Sequence, residues 1–367
     1  FFSVARFRFR LRKTPVSDPT QQPTAGHPDV TMIDRLFHAW ERRLAAVTSD
    51  RVVRGFEWGA EWLDGGTYPP AVAREVVSAW SAKVMEDTDQ FFETPTTDRY
   101  HLHNGLLSFP SAFETPDPEN NTVYARYQPA ATRKRPRRAV VVLPHWNAGP
   151  DEHMGLSRLI AKFGISTLRL SLPYHDRRMP ADLHRADYIV SANVGRTLQI
   201  CRQAVLDTRR AVHWLTAEGY ERVGILGTSL GSCLAMLTAA HEPRVNAAAL
   251  NHISPYFADV VWEGLSTAHV RAGLDGKVTL DHLRRLWLPI SPEPYIDRMR
   301  GKRVLLVYAR YDLSFPIRLS RQLVNKFSHR DIPHRVFVLP CGHYSTAVVP
   351  FSWMDGYALV NFLRTEL

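Results

Sequence analysis

Short apolar runs alternate with longer amphipathic segments from about residue 139 to the end of the chain. The short runs are rich in Val, Leu, Ile and Ala, which is typical of buried strands, whereas apolar residues at every third or fourth position are typical of helices. The predicted strands span residues 139–143, 166–172, 222–226, 245–250, 303–308 and 335–339. The predicted helices span residues 151–163, 187–217, 230–241, 316–328 and 351–365. This alternation predicts an α/β fold, in which helices cover both faces of a mostly parallel sheet.

A different pattern precedes this alternation. Residues 100–113 and 122–127 are predicted strands, and the turn-rich spacer 116–121 between them predicts an antiparallel hairpin. We therefore expect one α/β domain that spans residues 98–367.

The segment 32–97 has the periodicity of helices. Apolar residues recur with helical spacing in a stripe formed by Ile33, Leu36, Phe37, Trp40, Leu44 and Val47. A second helix is predicted over residues 71–86. Nothing in this segment indicates chemistry, so we interpret it as a helical N-terminal extension that serves as a cover or as the surface of a homo-oligomer.

Residues 254–300 interrupt the alternation between two predicted strands. A stretch of this length without a strand is usually functional or a subdomain. It contains Trp262, Trp287 and several prolines. We predict a mainly helical lid insertion with an apolar entry to the site.

The chain of 367 residues has a formal net charge of +10, and 45% of its residues are hydrophobic, which is enough for a large core. Basic residues cluster within residues 1–31 and again from Arg133 to Arg138. We interpret residues 1–31 as a disordered basic tail and linker, and the second run as a solvated turn. Attraction to nucleic acid or anionic lipid is the alternative; our expectation is no nucleic-acid partner.

The cysteines Cys201, Cys233 and Cys341 are few, odd in number and widely spaced. This pattern is neither a disulfide framework nor a metal-ligand pattern, so we expect a reducing, cytoplasmic location, no metal and no cofactor. No stretch approaches the roughly 20 apolar residues of a membrane-spanning helix, so we expect no stable membrane insertion.

The pentapeptide Gly227-Thr-Ser-Leu-Gly231 has the form G-x-S-x-G, with a predicted strand before it and a predicted helix after it. A serine hydroxyl is a poor nucleophile unless it is exposed, fixed and next to a base. A sharp turn from strand to helix supplies the exposed position, and the glycines permit it. We therefore predict that Ser229 is a nucleophile on such an elbow; a tight structural turn is the alternative.

Two further residues follow predicted strands, where side chains reach the crevice at the carboxyl edge of a parallel sheet. Asp312 follows the strand 303–308, and His343 follows the last strand. We predict that His343 is the general base and that Asp312 orients it. A helix cap or turn is the alternative for Asp312. Its rival as the acid is Asp331, which we discount because it lies in a loop at the opposite edge of the sheet.

The order serine, aspartate, histidine is that of the α/β-hydrolase superfamily. Residues 98–367 resemble an α/β hydrolase through Gly227–Gly231, Tyr311-Asp-Leu313 and Cys341-Gly-His343. Within it, Leu143-Pro-His-Trp146 and residues 173–180 are most similar to proteins related to α/β-hydrolase domain-containing 18. The resemblance implies the α/β-hydrolase fold and ester hydrolysis without fixing a substrate.

An oxyanion hole needs two backbone N–H groups. Leu230 is the first candidate donor, and Trp146 or Asn147, in the loop after strand 139–143, is the second. Many members of the superfamily have glycine where this chain has Trp146, so we expect a bulky wall and small acyl groups. The remaining candidates for substrate contact at the rim are His145, His175 and His252.

We therefore predict a serine hydrolase that cleaves small or medium acyl esters, as its small-molecule partners, through an acyl-enzyme. A thioesterase, acyltransferase or peptidase with the same triad is the nearest alternative. A non-catalytic binding protein on the same fold is the alternative from another class.

Overall fold

The structure is a computed structural model that describes residues 31–48, 50–132 and 135–367. The predicted basic tail lies outside the described residues except for Thr31, and so do Arg133 and Lys134 of the second basic run.

The strands of the described chain form a single sheet. They are β1 (His101–His103), β2 (Leu106–Pro110), β3 (Thr122–Gln128), β4 (Arg138–Leu143), β5 (Ile165–Leu170), β6 (Arg222–Thr228), β7 (Val245–Asn251), β8 (Arg303–Ala309) and β9 (Arg335–Leu339). Their order across the sheet is β1-β2-β3-β5-β4-β6-β7-β8-β9. The pairs among β1, β2, β3 and β5 are antiparallel, and every pair from β5 to β9 is parallel.

The helices precede, separate and follow these strands. They are α1 (Met32–Ala45), α2 (Glu61–Asp64), α3 (Pro70–Glu86), α4 (Thr88–Phe91), α5 (Met154–Lys162), α6 (Val194–Ala217), α7 (Leu230–His241), α8 (Phe257–Glu263), α9 (Ala268–Leu274), α10 (Leu280–Leu286), α11 (Ile317–His329) and α12 (Phe351–Glu366). The segment 254–300 is helical, as expected, and holds α8 to α10 together with short 3-10 turns. None of the helices in the described ranges is long and apolar enough to span a bilayer.

The central strands are apolar on both faces. Along β4, Val141 and Leu143 belong to the core cluster that includes α6 and α7, whereas Val140 and Val142 belong to the cluster that includes α5 and α12. Successive side chains of a strand point to opposite faces, so a continuous apolar run needs helices on both sides. The predicted α/β class with a mostly parallel, doubly covered sheet is confirmed.

Two predicted elements differ in their limits. Residues 100–113 are not one strand, because Asn104 and Gly105 adopt positive φ angles of 49° and 75° and turn the chain between β1 and β2. The helix predicted over 187–217 begins only at Val194, where the Asn193 side chain caps it by accepting a hydrogen bond from the backbone N–H of Arg196.

The stripe predicted for the first helix is only partly buried. Ile33 and Leu36 are exposed, and Val47 lies beyond the end of α1 and is exposed as well. The buried residues of α1 are Glu41 and Ala45. A carboxylate therefore occupies the face of the helix that packs against the domain.

Candidate active site

The turn between β6 and α7 holds Ser229 in a conformation that is rare for a residue with a side chain. Its φ is 56° and its ψ is −121°. The turn is fixed by hydrogen bonds: Ser229 N donates to Asn251 O at 2.8 Å, and Ser232 Oγ donates to Ser229 O at 2.6 Å. Such backbone strain persists only where the surroundings enforce it, and it is the geometry of a nucleophile elbow.

The two glycines of the motif allow the elbow to pack. A Cβ on Gly227 would lie 2.1 Å from Gly231 O, and a Cβ on Gly231 would lie 2.3 Å from Leu143 O. A side chain at Gly227 would therefore push α7 away from β6, and one at Gly231 would push it away from the end of β4, so either would displace Ser229.

The Asp312 carboxylate is buried and accepts four hydrogen bonds. Oδ1 accepts from the backbone N–H groups of Ser314 at 2.8 Å and Phe315 at 2.7 Å. Oδ2 faces His343 Nδ1 at 3.0 Å and His252 Nδ1 at 2.9 Å. One carboxylate oxygen thus holds two imidazole rings, whose centroids are 4.7 Å apart.

Electrostatics separate the two histidines. Burial opposes the charged form of His343, but the Asp312 charge, the hydrogen bond to it and the Glu41 charge outweigh burial and raise the pKa of His343. Burial dominates at His252 and lowers its pKa despite the hydrogen bond to Asp312. Burial also disfavours ionised Asp312, but the charges and hydrogen bonds of His343 and His252 keep its pKa well below the usual range. Hence His343 is the ring suited to accept a proton, and His252 stays neutral.

Ser229 opens into an apolar cavity. The empty space of this cavity, its mouth included, is about 470 Å³. Its walls include Trp146, Leu230, Phe257, Val260 and Phe315. The His343 ring stacks on the same Phe315 ring, with centroids 5.5 Å apart and planes 9° apart. This contact brings the imidazole to the wall of the cavity that Ser229 lines.

The hydrogen bonds of the structure distinguish the two candidates for the second oxyanion donor, Trp146 and Asn147. Asn147 N donates to His175 Nε2 at 2.9 Å, so Asn147 cannot serve as the second donor. Within the described residues, the N–H groups of Leu230 and Trp146 donate to no protein acceptor. Both residues line the cavity with Ser229. The candidate donors are therefore Leu230 and Trp146.

The three rim histidines do not line this cavity. His175 is buried, and its Nδ1 lies 2.8 Å from Pro173 O while its Nε2 holds Asn147, so it supports the loop that carries Trp146. His145 Nε2 lies 3.2 Å from Glu152, and His252 is buried against Asp312. Other protein groups hold the rings of His175 and His252. Contact of the three histidines with substrate stays a prediction.

His252, Asp312 and His343 also form a compact set of metal-ligand types, with atoms within 4.8 Å of one another. Each short contact in this set joins an imidazole Nδ1 to the Asp312 oxygen at hydrogen-bond distance. These contacts are hydrogen bonds between two imidazoles and one carboxylate.

The sequence analysis missed one group near the site. Glu41 of α1 accepts hydrogen bonds from the loop that follows His343. In the sequence, Glu41 lies one helical turn after Phe37, on a helix face with apolar neighbours. A charged residue at such a position indicates that this face contacts polar groups, but the sequence does not identify those groups.

Comparisons with known proteins support the fold. Acetyl xylan esterase from Paenibacillus sp. R4 is 14% identical, with a TM-score of 0.56 over 79% of this chain and 94% of that chain. Acetyl xylan esterase 1 from Thermoanaerobacterium sp. JW/SL YS485 is 14% identical, with a TM-score of 0.53 over 76% of this chain and 94% of that chain. Pyrococcus horikoshii acylaminoacyl peptidase is 14% identical, with a TM-score of 0.53 over 67% of this chain, and the match spans only 40% of the peptidase. At these identities the likeness concerns the fold.

A family model extends the likeness beyond the fold. The model described as alpha/beta hydrolase domain containing 18 matches residues 66–271, more than half of the chain. The matched range starts before α3 and includes Trp146, Ser229 and His252, whereas Asp312 and His343 lie after it. With the sheet order, the elbow and this match together, the chain belongs to the alpha/beta hydrolase domain containing 18 family.

Proposed function

We propose that this chain is a serine carboxylic ester hydrolase that works through an acyl-enzyme on esters of small or medium acyl groups. One observation carries the proposal. A buried Asp312 holds His343, whose ring stacks on Phe315 at the wall of the apolar cavity into which the strained Ser229 opens.

In the proposed mechanism, Ser229 Oγ attacks the ester carbonyl carbon while His343 Nε2 takes the hydroxyl proton. The Asp312 carboxylate accepts from Nδ1 and stabilises the imidazolium that forms. The N–H groups of Leu230 and Trp146 would stabilise the oxyanion. Collapse of the intermediate expels the alkoxide, which takes the proton from His343, and a water molecule then releases the acid by the same two steps.

The residues that line the cavity support the proposed preference for small or medium acyl groups. Phe257 and Val260 of α8 and Phe315 present apolar surface opposite Ser229. The Trp146 indole is fixed because its Nε1 donates to Ala186 O at 2.8 Å and its ring stacks on His269 with planes 6° apart. A fixed aromatic wall beside the nucleophile limits the acyl chain, and apolar walls disfavour a charged one.

The nucleophile is tested by fluorophosphonate labelling and by hydrolysis of p-nitrophenyl esters from acetate to laurate. Ser229→Ala should abolish labelling and lower kcat by at least about 10³-fold, because no other group can form the acyl-enzyme. The matched control is Ser328→Ala, at an exposed serine of α11, which should behave as wild type.

Labelled wild type and unlabelled Ser229→Ala would establish the nucleophile, and the ester with the highest kcat/KM would measure the acyl pocket. Labelling without ester turnover, but with transfer of the acyl group to an added alcohol or cleavage of a thioester or peptide, would favour the acyltransferase, thioesterase or peptidase. Folded wild type that neither labels nor hydrolyses any ester would refute the proposal in favour of a binding protein.

A further inference from the structure

Glu41 is a fully buried carboxylate at the boundary between α1 and the loop that carries His343. Oε1 accepts hydrogen bonds from Ser345 N at 2.9 Å and from Ser345 Oγ at 2.7 Å. Oε2 accepts from Tyr344 N at 2.9 Å. Within the described residues Glu41 has no salt bridge to a basic side chain, so these three donors compensate the burial of the carboxylate.

The contacts of Glu41 involve the residues directly before and directly after His343. Tyr344, directly after the histidine, is bonded to Glu41, and Gly342, directly before it, donates its N–H to Ser345 Oγ at 2.8 Å. The Glu41 side chain also packs against Gly342, where an added Cβ would lie 2.2 Å from Cδ. The backbone that carries the imidazole is therefore fixed by a residue about 300 positions earlier in the chain.

Other contacts keep the N-terminal segment in place. The Phe37 ring stacks on Tyr311, next to Asp312, with centroids 4.2 Å apart and planes 8° apart. Arg51 donates to the Tyr344 hydroxyl at 2.9 Å. The segment that starts with α1 thus contacts the chain beside both the acid and the base.

We propose that Glu41 is a positioning residue for His343: the N-terminal helix supplies the buried carboxylate that holds the base loop in the geometry for proton transfer. The inference rests on the proposed function. The N-terminal extension, for which the sequence predicted a cover or the surface of a homo-oligomer, thereby takes part in the active site.

Replacement of Glu41 should have different effects if the residue only anchors α1 and if it positions His343. If Glu41 only anchored α1, its loss would lower the stability of the protein and leave kcat and the pH profile of the folded enzyme unchanged. If it positions and polarises His343, its loss would lower kcat and shift the acid limb of kcat/KM, because a nearby negative charge favours the protonated imidazole.

The charged and titratable groups near His343 are Asp312 and His252 after the neighbouring strands, Tyr344 beside it, Arg51 on the Tyr344 hydroxyl, and Glu41. In wild type the Asp312 charge and hydrogen bond, with Glu41, raise the pKa of His343 against the effect of burial. The base must be unprotonated to act, so the acid limb of wild-type kcat/KM should lie at higher pH than the pKa of an ordinary histidine would give.

The test compares Glu41→Gln with wild type in the full chain, using p-nitrophenyl acetate across pH and fluorophosphonate labelling. Glu41→Gln nearly conserves shape, but it removes the charge and places an N–H₂ group opposite an N–H donor. We expect kcat to fall by about 10- to 100-fold, because misplacement of a catalytic group by 1 Å is worth up to about 100-fold. We also expect KM within about twofold of wild type and an acid limb at lower pH.

Two further variants separate charge from position. Glu41→Asp keeps the charge but is one methylene shorter, so it should keep the acid limb near that of wild type while lowering kcat. Glu75→Gln, at an exposed position of α3, makes the same chemical change away from the site and should leave kcat, KM and the acid limb unchanged.

Folded Glu41→Gln, judged by circular dichroism and thermal unfolding, with wild-type kcat, labelling rate and acid limb would overturn the proposal. If Glu41→Gln does not fold, Ser345→Ala decides, since it removes one donor to Glu41, together with the acceptor of the Gly342 N–H, and leaves the two N–H donors to Glu41. It should lower kcat roughly 2- to 10-fold, the equivalent of one hydrogen bond, and unchanged kcat would overturn the proposal. Wild type that fails to label would instead refute the proposed hydrolase itself.

Discussion

At the scale of single residues, the unusual feature of the site is the second histidine on Asp312. Oδ2 accepts from both His343 and His252, so each lone pair of the oxygen has a donor. His252 is itself fixed, since its N–H donates to Val307 O at 2.8 Å and its carbonyl accepts from Ser232 Oγ at 2.7 Å. Its neutral ring completes the hydrogen bonding of the buried carboxylate without adding a charge.

We predict that His252→Ala lowers the free energy of unfolding by about 1–3 kcal/mol, because it leaves a buried carboxylate oxygen without one of its donors. His252→Asn should lower the free energy of unfolding by less, since the side-chain amide can replace the Nδ1–H donor. Urea unfolding measures both, with His329→Ala at an exposed position of α11 as the control. Equal stability of His252→Ala and His329→Ala would contradict the role assigned to His252.

At the scale of elements, the insertion between β7 and β8 supplies part of the cavity wall opposite Ser229. The Phe257 and Val260 side chains of α8 and Thr267 line the cavity beside Ser229. Leu265 N donates to Leu313 O at 2.8 Å, which ties the insertion to the loop after Asp312. The space in front of Ser229 is therefore bounded in part by α8.

We predict that Val260→Trp narrows the range of acyl chains. Val260 is half-buried at the cavity, so an indole there can fill space that the end of a longer chain would occupy. Each methylene that the cavity no longer buries is worth about 0.8 kcal/mol, roughly fourfold in kcat/KM.

The ratio of kcat/KM for hexanoate to that for acetate should fall at least about tenfold, as measured with p-nitrophenyl esters. Val72→Trp, at an exposed position of α3, is the matched control. A ratio that stays the same in Val260→Trp would show that the acyl chain does not bind against α8.

At the scale of the whole molecule, buried ion pairs join segments that are distant in sequence. Arg178 donates to Asp207 of α6 at 2.8 Å, and neither side chain is exposed. Asp207 Oδ1 also accepts from Ser111 Oγ at 2.8 Å, after β2. Arg178 donates in addition to Ser171 O, at 3.1 Å, just after β5. One charge pair thus links the N-terminal hairpin, α6 and the segment 173–180.

We predict that Asp207→Ala lowers the free energy of unfolding by about 3–5 kcal/mol, because it leaves the Arg178 guanidinium buried without its counter-ion. Asp281→Ala, which removes a largely exposed partner of Arg284, should cost no more than about 1 kcal/mol. Urea unfolding of both variants measures the difference. Similar losses of unfolding free energy in the two variants would contradict the role of the buried Arg178–Asp207 pair in linking the three segments.

For the segment 173–180, the sequence predicted the family but not the positions of the side chains. It carried the family resemblance, and the family match confirms that resemblance. His175 of this segment was expected at the rim, but it is buried and accepts a hydrogen bond from Asn147 N. Tyr174 donates to Asp117 at 2.6 Å, and Arg178 pairs with Asp207. A motif can identify a family without indicating whether its residues bind substrate or support the fold.

The sequence by itself determined the alternation of strands and helices and the positions of Ser229, Asp312 and His343 at strand ends. Apolar periodicity encodes burial directly, and the carboxyl ends of parallel strands share one edge of the sheet, so the three residues are expected at that edge wherever the alternation folds. The predicted strands and helices agree with the structure because local periodicity suffices to predict them, without knowledge of contacts between distant segments.

Only the tertiary structure decided which groups share hydrogen bonds across the site. That His252 and His343 share one oxygen of Asp312, and that the Asn147 N–H is taken by His175, depends on how adjacent strands and loops pack. That Glu41 reaches Ser345, 304 residues later, depends on where α1 lies against the domain. Local periodicity indicates which face of an element is buried, but the identity of the buried partner is fixed by the packing of elements that are remote in the chain.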